Sequence, residues 1–508
     1  MKALPNILFI TADQWRGDCL SALRHPCVRT PHLDALAGEG VLFTRHYCQA
    51  VPCGPSRASL HTGLYLMNHR SVLNGTPLDR RHRSWAQRLR ESGYDPVLFG
   101  YTDTSADPRD YAPDAPELKT YEGVLPGLKP EVLLNESDVS AWAEWLEAQG
   151  VAVPERGYNL YTTKQDQPEW EQGGPGPAPL ALAAEHHDTR FLTDCAINYI
   201  QGRTDPWCVH LSLLRPHPPW IAPEPYNRLY APDELPGFRR AASAEAEAAQ
   251  HPYLAWQLGQ RYYTAPEEKR LRRMKASYFG LMSEVDDNVG RLVEALQAGG
   301  AWDNTLILFT ADHGEQMGDH WLLGKCGYFD QSYHVPMILR DPRTAADQNR
   351  GSVCGEFTEH VDVMPTLLDW LGLAANPELD GASLVPFVEG DVRPERWRQA
   401  AHWEFDFRDP VEGAAETALG LPQHACNLAV IRDERYKYVH FAGLPPLLFN
   451  LEEDPDELLN RADDPGLASV RLAYAEQLLS WRSRHLDQTL THVRLTDDGP
   501  VARPGSRW

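Results

Sequence analysis

The 508-residue chain has no run of about 18 apolar residues, no C-x-x-C pair, no internal repeat, and too few basic residues to balance its acidic ones. Each absence removes a class of function. Without a long apolar run no membrane span is expected. The apolar stretch Asn6–Thr11 is too short for an export signal and reads as a first buried strand. With 48 Lys and Arg against 71 Asp and Glu, the formal net charge is −23, which argues against nucleic acid or an anionic membrane as the main partner. The nine cysteines (19, 27, 48, 53, 195, 208, 326, 354, 426) show no paired spacing. They fit reduced thiols in a cytoplasmic protein and disfavour both a disulfide framework and a structural zinc site. The sequon Asn135-Glu136-Ser137 is taken as accidental in the absence of an export signal.

What is present is enough apolar sequence, 42%, for a large core, and enough length for two or three domains. Apolar runs at Asn6–Thr11, Val41–Tyr47, Pro96–Tyr101, Trp207–Leu213 and Asn304–Thr310 read as strands, the first and last buried on both faces. Helical patterns stand between them. Thr30-Pro31 starts one that Gly38 or Gly40 stops. Ser84–Ser92, Asp188–Gly202 and the amphipathic Met274–Gly299 follow, and Glu359–Leu371 reads as a helix containing Pro365. The alternation predicts an α/β fold, a large and mostly parallel sheet sandwiched by helices. Residues 105–180 and 220–270 lack periodicity, and the first of these reads as long surface excursions covering the site. From about residue 376, short strands such as Leu428–Arg432 and Tyr436–Phe441 and a helix near Leu467–His485 indicate a smaller α+β part. Three units are expected: a catalytic α/β domain 1–375, an α+β subdomain 376–488, and an extended tail 489–508 that can serve as an oligomerisation arm.

The strand ends carry the chemistry. Asp13 and Gln14 follow the first strand, Thr102, Asp103 and Thr104 the third, His217 the fourth, and Asp312-His313 the last. In a parallel sheet these ends share one edge, where α/β folds place their ligands. The second strand leads into Cys53-Gly54-Pro55-Ser56-Arg57, and a helix starting there aims its positive end at the Cys53 region, a favourable place for an oxyanion. Asp13, Gln14, Asp312 and His313 offer hard oxygen donors and one imidazole. The set suits one divalent cation of the Ca²⁺, Mg²⁺ or Mn²⁺ type, with the imidazole favouring Mn²⁺. Taken singly, each residue has an ordinary alternative: Asp13 a helix cap, His313 a satisfied loop histidine, Lys325 a solvated surface lysine, His217 a rigid element between prolines.

The C-x-P-S-R motif at Cys53–Arg57 resembles the signature of type I sulfatases and of the phosphonate monoester hydrolases related to them in the alkaline phosphatase superfamily. The likeness extends through Asn6–Arg16, Gly63–His69, Arg215–Pro219, Glu284–Asp287, Thr310–Glu315, Leu323–Lys325, Glu404–Arg408 and Glu434–Phe441, nearly the whole chain. Gln14 stands where the sulfatase branch usually has Asp, so the resemblance is to the phosphonate monoester hydrolases in particular. It implies that a formylglycine-generating system oxidises Cys53 to formylglycine, whose hydrated diol is the nucleophile. It implies one metal ion, Mn²⁺ or Ca²⁺, held by Asp13, Gln14, Asp312, His313 and an oxygen of the modified Cys53. Arg57 would stand beside the nucleophile. Lys325 and Asn74, with Thr102 and Thr104, would bind the transferring group, and His217, with Lys325, would serve the leaving oxygen. A covalent hemiacetal ester would then break at its C–O bond. The implied activity is hydrolysis of small anionic esters, namely phosphonate monoesters and phosphate diesters, with promiscuous action on sulfate esters. The alternative is an arylsulfatase with phosphonate or phosphodiester side activity. A homotetramer joined through C-terminal arms is the implied assembly.

The chain departs from the family in two places. Ser56 is the sulfatase-like form of a motif that often has Ala there, and it is compatible with cysteine oxidation. The family tends to have a threonine run after the tyrosine, whereas this chain reads Tyr101-Thr102-Asp103-Thr104. Facing inward, Asp103 would be a base for breakdown of the covalent ester and would repel dianions; facing solvent, it would do neither. Two other readings compete. A two-metal phosphodiesterase needs a Thr or Ser nucleophile where this chain has Cys53. A non-catalytic binding protein predicts that Cys53 stays unmodified.

Overall fold

The computed structural model describes residues 4–153, 160–164, 178–260, 264–374, 378–390, 394 and 396–502. Eight strands form the central sheet: β1 (Asn6–Ala12), β2 (Val41–Tyr47), β3 (Val97–Gly100), β4 (Lys129–Leu133), β5 (Cys208–Leu213), β6 (Thr305–Thr310), β7 (His334–Arg340) and β8 (Ser352–Glu359). Their order is β4-β3-β5-β1-β6-β7-β2-β8. β1 lies centrally and parallel to both neighbours, with Ile10 level with Leu211 of β5 and Phe309 of β6. β7 runs antiparallel to β6 and β2 because the chain returns from β6 without the long crossover helix that a parallel pair needs. The expected α/β architecture, mostly parallel, is the one observed.

All seven residues of β1 are buried. Leu8 and Ile10 enter one core with residues of the Pro31–Gly38, Asp188–Gln201 and Glu268–Ala298 helices. Ile7 and Phe9 enter a second core on the opposite face, with residues of the Cys53–Thr62, Trp85–Glu91 and Val363–Trp370 helices. Burial on both faces is why this strand reads as an unbroken apolar run. The Trp85–Glu91 helix starts on a capping box, in which Ser84 accepts from Gln87 N and the Gln87 side chain reaches back.

Several elements differ from expectation, each for a physical reason. The long helix begins at Glu268 rather than Met274, since its first turn is charged and only Leu271 marks the buried side. Glu359 ends β8, and the next helix starts at Val363, so Pro365 sits in its first turn, where a missing N–H costs nothing. The stretch 105–180 contains β4 and the Ser140–Ala148 helix, which buries Trp142, Ala143 and Leu146. β4 is an edge strand with a proline and mostly exposed residues, so no apolar run announces it.

A second, antiparallel sheet follows: β9 (Ala401–Asp406), β10 (Asn427–Arg432), β11 (Tyr436–Phe441) and β12 (Leu447–Asn450), in the order β12-β11-β10-β9. The Ala468–His485 helix packs on one face through Tyr474, Leu478 and Trp481. The other face meets Tyr253, Tyr328 and Tyr333. The domain boundary expected between 375 and 376 lies outside the described residues. Leu379, Leu384, Val388 and Trp397 pack into the second core of the main sheet. The tail forms a hairpin, β13 (Val493–Thr496) and β14 (Gly499–Ala502), and its last six residues, 503–508, are outside the described set. Among the described residues no helix is long and apolar enough to cross a membrane, and all nine cysteines are unbridged.

Candidate active site

β1 and β6 are adjacent and in register, so the residues that follow them meet. Asp13 follows β1, Asp312 and His313 follow β6, and Cys53 opens the Cys53–Thr62 helix after β2. The ligand atoms of these four buried residues lie within 4.8 Å of one another. His313 Nε2 is 3.2 Å from Cys53 Sγ, 3.6 Å from Asp312 Oδ2 and 3.9 Å from Asp13 Oδ1. His313 Nδ1 lies 3.0 Å from Gly314 O, so the Nδ1–H tautomer leaves the Nε2 lone pair to the cluster, as in metal-ligating histidines. Asp13 Oδ1 is buried without a hydrogen-bond partner. An orphaned carboxylate oxygen is costly in a dry site unless a cation meets it. The donors therefore fit a divalent metal ion.

Arg57, one turn into the helix and 1% exposed, clamps both carboxylates. Its Nε donates to Asp312 Oδ2 and its Nη2 to Asp13 Oδ2, each at 3.0 Å. Its Nη1 donates to Ser212 Oγ at 2.9 Å and Tyr101 O at 3.2 Å. The Tyr101 hydroxyl donates to Asp13 Oδ2 as well. Burial opposes the charge on Asp13, yet His217, Arg57, His313 and Lys325 hold it below the ordinary carboxylate range. Burial, and then the negative Asp13 and Asp312, push the Cys53 thiol well up, so the encoded side chain is a neutral thiol.

Gln14 links this cluster to the cavity above it. Its backbone N–H donates to Asp312 Oδ1 at 3.0 Å with a φ of 66°, a left-handed conformation that costs a non-glycine residue about 1–3 kcal/mol. Its side-chain Nε2 donates to Glu315 Oε2, and its Oε1 accepts from Lys325 Nζ at 2.8 Å. Glu315 Oε1 in turn accepts from Met317 N and Gly324 N at 2.8 and 2.7 Å, which ties the Lys325 loop to the end of β6. Burial raises the Glu315 acid to about 7.

A cavity of ≈ 400 Å³ opens over Cys53, lined by the polar Gln14, Asn74, Asp103, Glu136, His217 and Lys325 and the apolar Pro52, Pro218, Trp220 and Leu323, with Tyr121. A larger cleft of ≈ 930 Å³ beside the Ala468–His485 helix contains none of these residues. Asn74 Oδ1 accepts from Gly54 N at 2.8 Å. A Cβ on Gly54 would stand 3.1 Å from that oxygen and 3.3 Å from Asp103 O, so the approach favours glycine. Asp103 has a φ of 47° and a buried Oδ1 without a partner. Burial, reinforced by Asp13, Glu122 and Asp312 against the opposing Arg57, pushes its acid well up. His217 Nδ1 is 2.8 Å from Pro218 O, and its Nε2 is 2.8 Å from Glu136 Oε1.

A profile of the family described as Sulfatase matches residues 5–373. The chain belongs to the sulfatase family. A profile described as N-sulphoglucosamine sulphohydrolase, C-terminal, matches residues 318–484 of the same sulfatase-family chain. It is 42% identical to the multifunctional alkaline phosphatase superfamily protein PehA of Trinickia caryophylli, over 98% of this chain and 99% of that protein. The crystal structure of the phosphonate monoester hydrolase of Agrobacterium radiobacter superposes with a TM-score of 0.92 at 49% identity, covering 98% of this chain and 99% of that one. For the phosphonate monoester hydrolase SpPMH from Silicibacter pomeroyi the TM-score is 0.91 at 37% identity, with 99% and 100% covered. This sulfatase-family member is a hydrolase of the alkaline phosphatase superfamily.

In this hydrolase the fold brings Asp13, Gln14, Cys53, Asp312 and His313 to one sheet edge, and Asn74, Asp103, His217 and Lys325 around the cavity above. Thr102 and Thr104, expected to bind substrate, do not line it. Thr102 Oγ1 donates to Gly123 O at 3.0 Å and accepts from Leu125 N at 2.8 Å, and Thr104 Oγ1 donates to Thr102 O at 3.3 Å. Arg57, expected beside the nucleophile, is engaged with the two carboxylates and lies outside the cavity lining. Sequence reasoning missed Glu136 and Tyr121. The first was seen only as the middle of a sequon, and no spacing marks the second. Glu315 was visible only as part of the Asp312-His313 motif.

Proposed function

We propose that this chain hydrolyses monoanionic esters of phosphorus, namely phosphonate monoesters and phosphate diesters, and acts more slowly on sulfate esters. The observation that carries the reading is the charge around the cavity. Lys325 is a cation of its lining, the carboxylate of Glu136 lies against His217, and the metal edge holds the neutral Gln14. That balance suits one negative charge better than two. The relatives support it: two similar structures are phosphonate monoester hydrolases, and the Trinickia protein is described as multifunctional.

One metal ion, Mn²⁺ or Ca²⁺, would be held by Asp13, Gln14, Asp312, His313 and the side chain at position 53, and when bound it supplies Lewis acidity at a substrate oxygen. Formylglycine, made from Cys53 by a formylglycine-generating system, would supply a diol nucleophile in place of a neutral thiol. The chain's own residues do the rest. Arg57 fixes the two carboxylates. Lys325, oriented by Gln14 Oε1, and Asn74, oriented by Gly54 N, bind the non-bridging oxygens as charge develops. His217 holds a proton at Nε2 for the leaving oxygen. In its ionised form Asp103 would accept a proton released at position 53. The exposed hairpin, with Leu495 80% and Val501 54% exposed, supports a homotetramer joined by these tails; removal of residues 489–508 is expected to lower the assembled mass.

The test compares kcat/KM for an aryl phenylphosphonate and an aryl sulfate with the same leaving group. A higher value for the phosphonate is expected, and a rate dominated by sulfate turns the assignment to an arylsulfatase. The mass of the peptide containing Cys53 tests the nucleophile. Free thiol alone, after co-expression with a formylglycine-generating system, removes it.

A further inference from the structure

The outer wall of the cavity holds a carboxylate without an assigned task. Glu136 follows β4 in a loop that is pinned by its backbone: Glu122 Oε1 accepts from Glu136 N at 2.7 Å, and Asn135 Oδ1 accepts from Asp138 N at 2.6 Å. From there the side chain crosses to His217, with Oε1 2.8 Å from Nε2. Its second oxygen lies 3.5 Å from the Tyr121 hydroxyl. His217 is fixed from behind as well. Arg215 Nη1 donates to His217 O at 2.6 Å, while Arg215 Nε donates to the buried Asp188 at 3.1 Å.

The imidazole thus stands between two acceptors, Pro218 O at Nδ1 and Glu136 at Nε2. A neutral ring has one N–H and can satisfy one of them. The imidazolium has two and satisfies both. Although burial opposes it, His217 and Lys325 hold Glu136 on the ionised side of its ordinary range.

We infer that Glu136 is a positioning residue that keeps His217 doubly protonated at the leaving-group wall, so that the acid is a Glu136–His217 pair. The inference rests on the ester-hydrolysis reading above. When the bond from phosphorus to the leaving oxygen breaks, displaced by the bond formed at position 53, its electron pair stays on that oxygen. The leaving oxygen takes the place of Glu136 Oε1 on the single Nε2–H of His217, and that proton passes to it and gives a neutral alcohol. The ring left behind is neutral and keeps its Nδ1–H on Pro218 O. The negative Glu136 then faces a bare Nε2 and favours its reprotonation from water. The same charge disfavours leaving groups that carry an anion of their own, so the substrates are esters of neutral or cationic alcohols.

The experiment uses the mature, metal-loaded full chain and two esters, phenyl phenylphosphonate and 4-nitrophenyl phenylphosphonate. The nitrophenolate departs with little need of a proton; the phenolate needs one more. In E136Q the ratio of kcat/KM, phenyl over nitrophenyl, is expected to fall roughly tenfold. In an H217A background the added E136Q substitution should leave the ratio where H217A alone has put it. An unchanged ratio in E136Q, or an equal further fall in the H217A background, overturns the pair. If the wild-type chain turns over neither ester, the substrate reading fails; if it turns over both and only the ratio fails to respond, Glu136 alone is misassigned.

Discussion

At the floor of the cavity, Asp13 and Asp312 are fully buried and Cys53 is 5% exposed, and the Arg57 fork joins the two carboxylates. At the outer wall, the side chains of His217 and Glu136 are 10% and 30% exposed, and their neighbours Tyr121 and Trp220 come from long loops. Floor residues follow strand ends whose register is set by backbone ladders, so their spacing cannot drift without disturbing the sheet. Wall residues are held by side chains and loop hydrogen bonds, and can change without touching the core. The difference teaches which part of the site a change can reach on its own: the clustered donors are tied to the sheet edge, the outer wall of the cavity to the loops.

If the floor does the chemistry, removing its nucleophile has the largest effect of any single change. Cys53→Ala is expected to lower kcat by about 10⁴-fold or more for phosphorus and sulfur esters alike. Steady-state rates on both substrate classes check this, and a loss confined to one class would mean that the two reactions do not share a nucleophile. Arg57→Ala tests the floor as structure. It leaves two buried carboxylates without their cation, and breaking a buried pair in this way costs about 3–5 kcal/mol. A fall in unfolding free energy of that size, read from the denaturant midpoint and slope, is expected in chain stripped of metal by a chelator. A smaller fall is expected with Mn²⁺ restored, because the ion takes over part of the compensation.

The wall predicts smaller and more selective effects. Asp103→Asn is expected to reduce kcat for phosphate diesters about tenfold and to improve the relative rate on dianionic phosphate monoesters, since a negative or proton-accepting group is lost from the lining. Paired measurements on a diester and a monoester decide. Turnover and charge preference both left unchanged would mean that Asp103 has no part in the cycle.

The floor was largely legible in the sequence because its signals are local. An apolar run such as Asn6–Thr11 ends on Asp13, another such as Asn304–Thr310 ends near Asp312, and the C-x-P-S-R motif sits at a helix start. The sheet needs only parallel strands to bring these ends together. The wall was not legible, and the reasons are physical. β4 is an exposed edge strand containing Pro130, so the loop that carries Glu136 follows only the three apolar residues 132–134, too short a run to mark a strand. The parity of residues 102–104 was lost at Gly100. There φ is 109°, and a Cβ would lie 1.9 Å from Ser212 O, so the alternation of β3 does not extend past it. Asp103 then turns again with its own positive φ, and strand logic could not say which of three neighbours faces the cavity. Arg57 was expected beside the nucleophile, and its bonds to Asp13 and Asp312 were not legible, since spacing in sequence does not show which acceptors one turn of helix brings within reach.

The smallest expected effect falls on Thr102, and it separates a residue near the wall from one in it. The Thr102 hydroxyl is occupied twice, donating to Gly123 O and accepting from Leu125 N, and it makes no part of the cavity lining. Thr102→Val keeps the shape and removes both bonds. It leaves the buried Leu125 N–H short of a partner, while Gly123 O keeps the bond from Thr104 N at 3.0 Å, at a cost of about 1–3 kcal/mol in stability. The 123–125 segment lies next to Tyr121 and so to the leaving-group side, so a modest rise in KM is expected, with kcat within about threefold of the parent. A melt and a full kinetic comparison on one phosphonate check both halves. A loss of kcat approaching that of Asp103→Asn would mean that the hydroxyl reaches the substrate during turnover, and the edge of the wall would then have to be drawn one residue earlier.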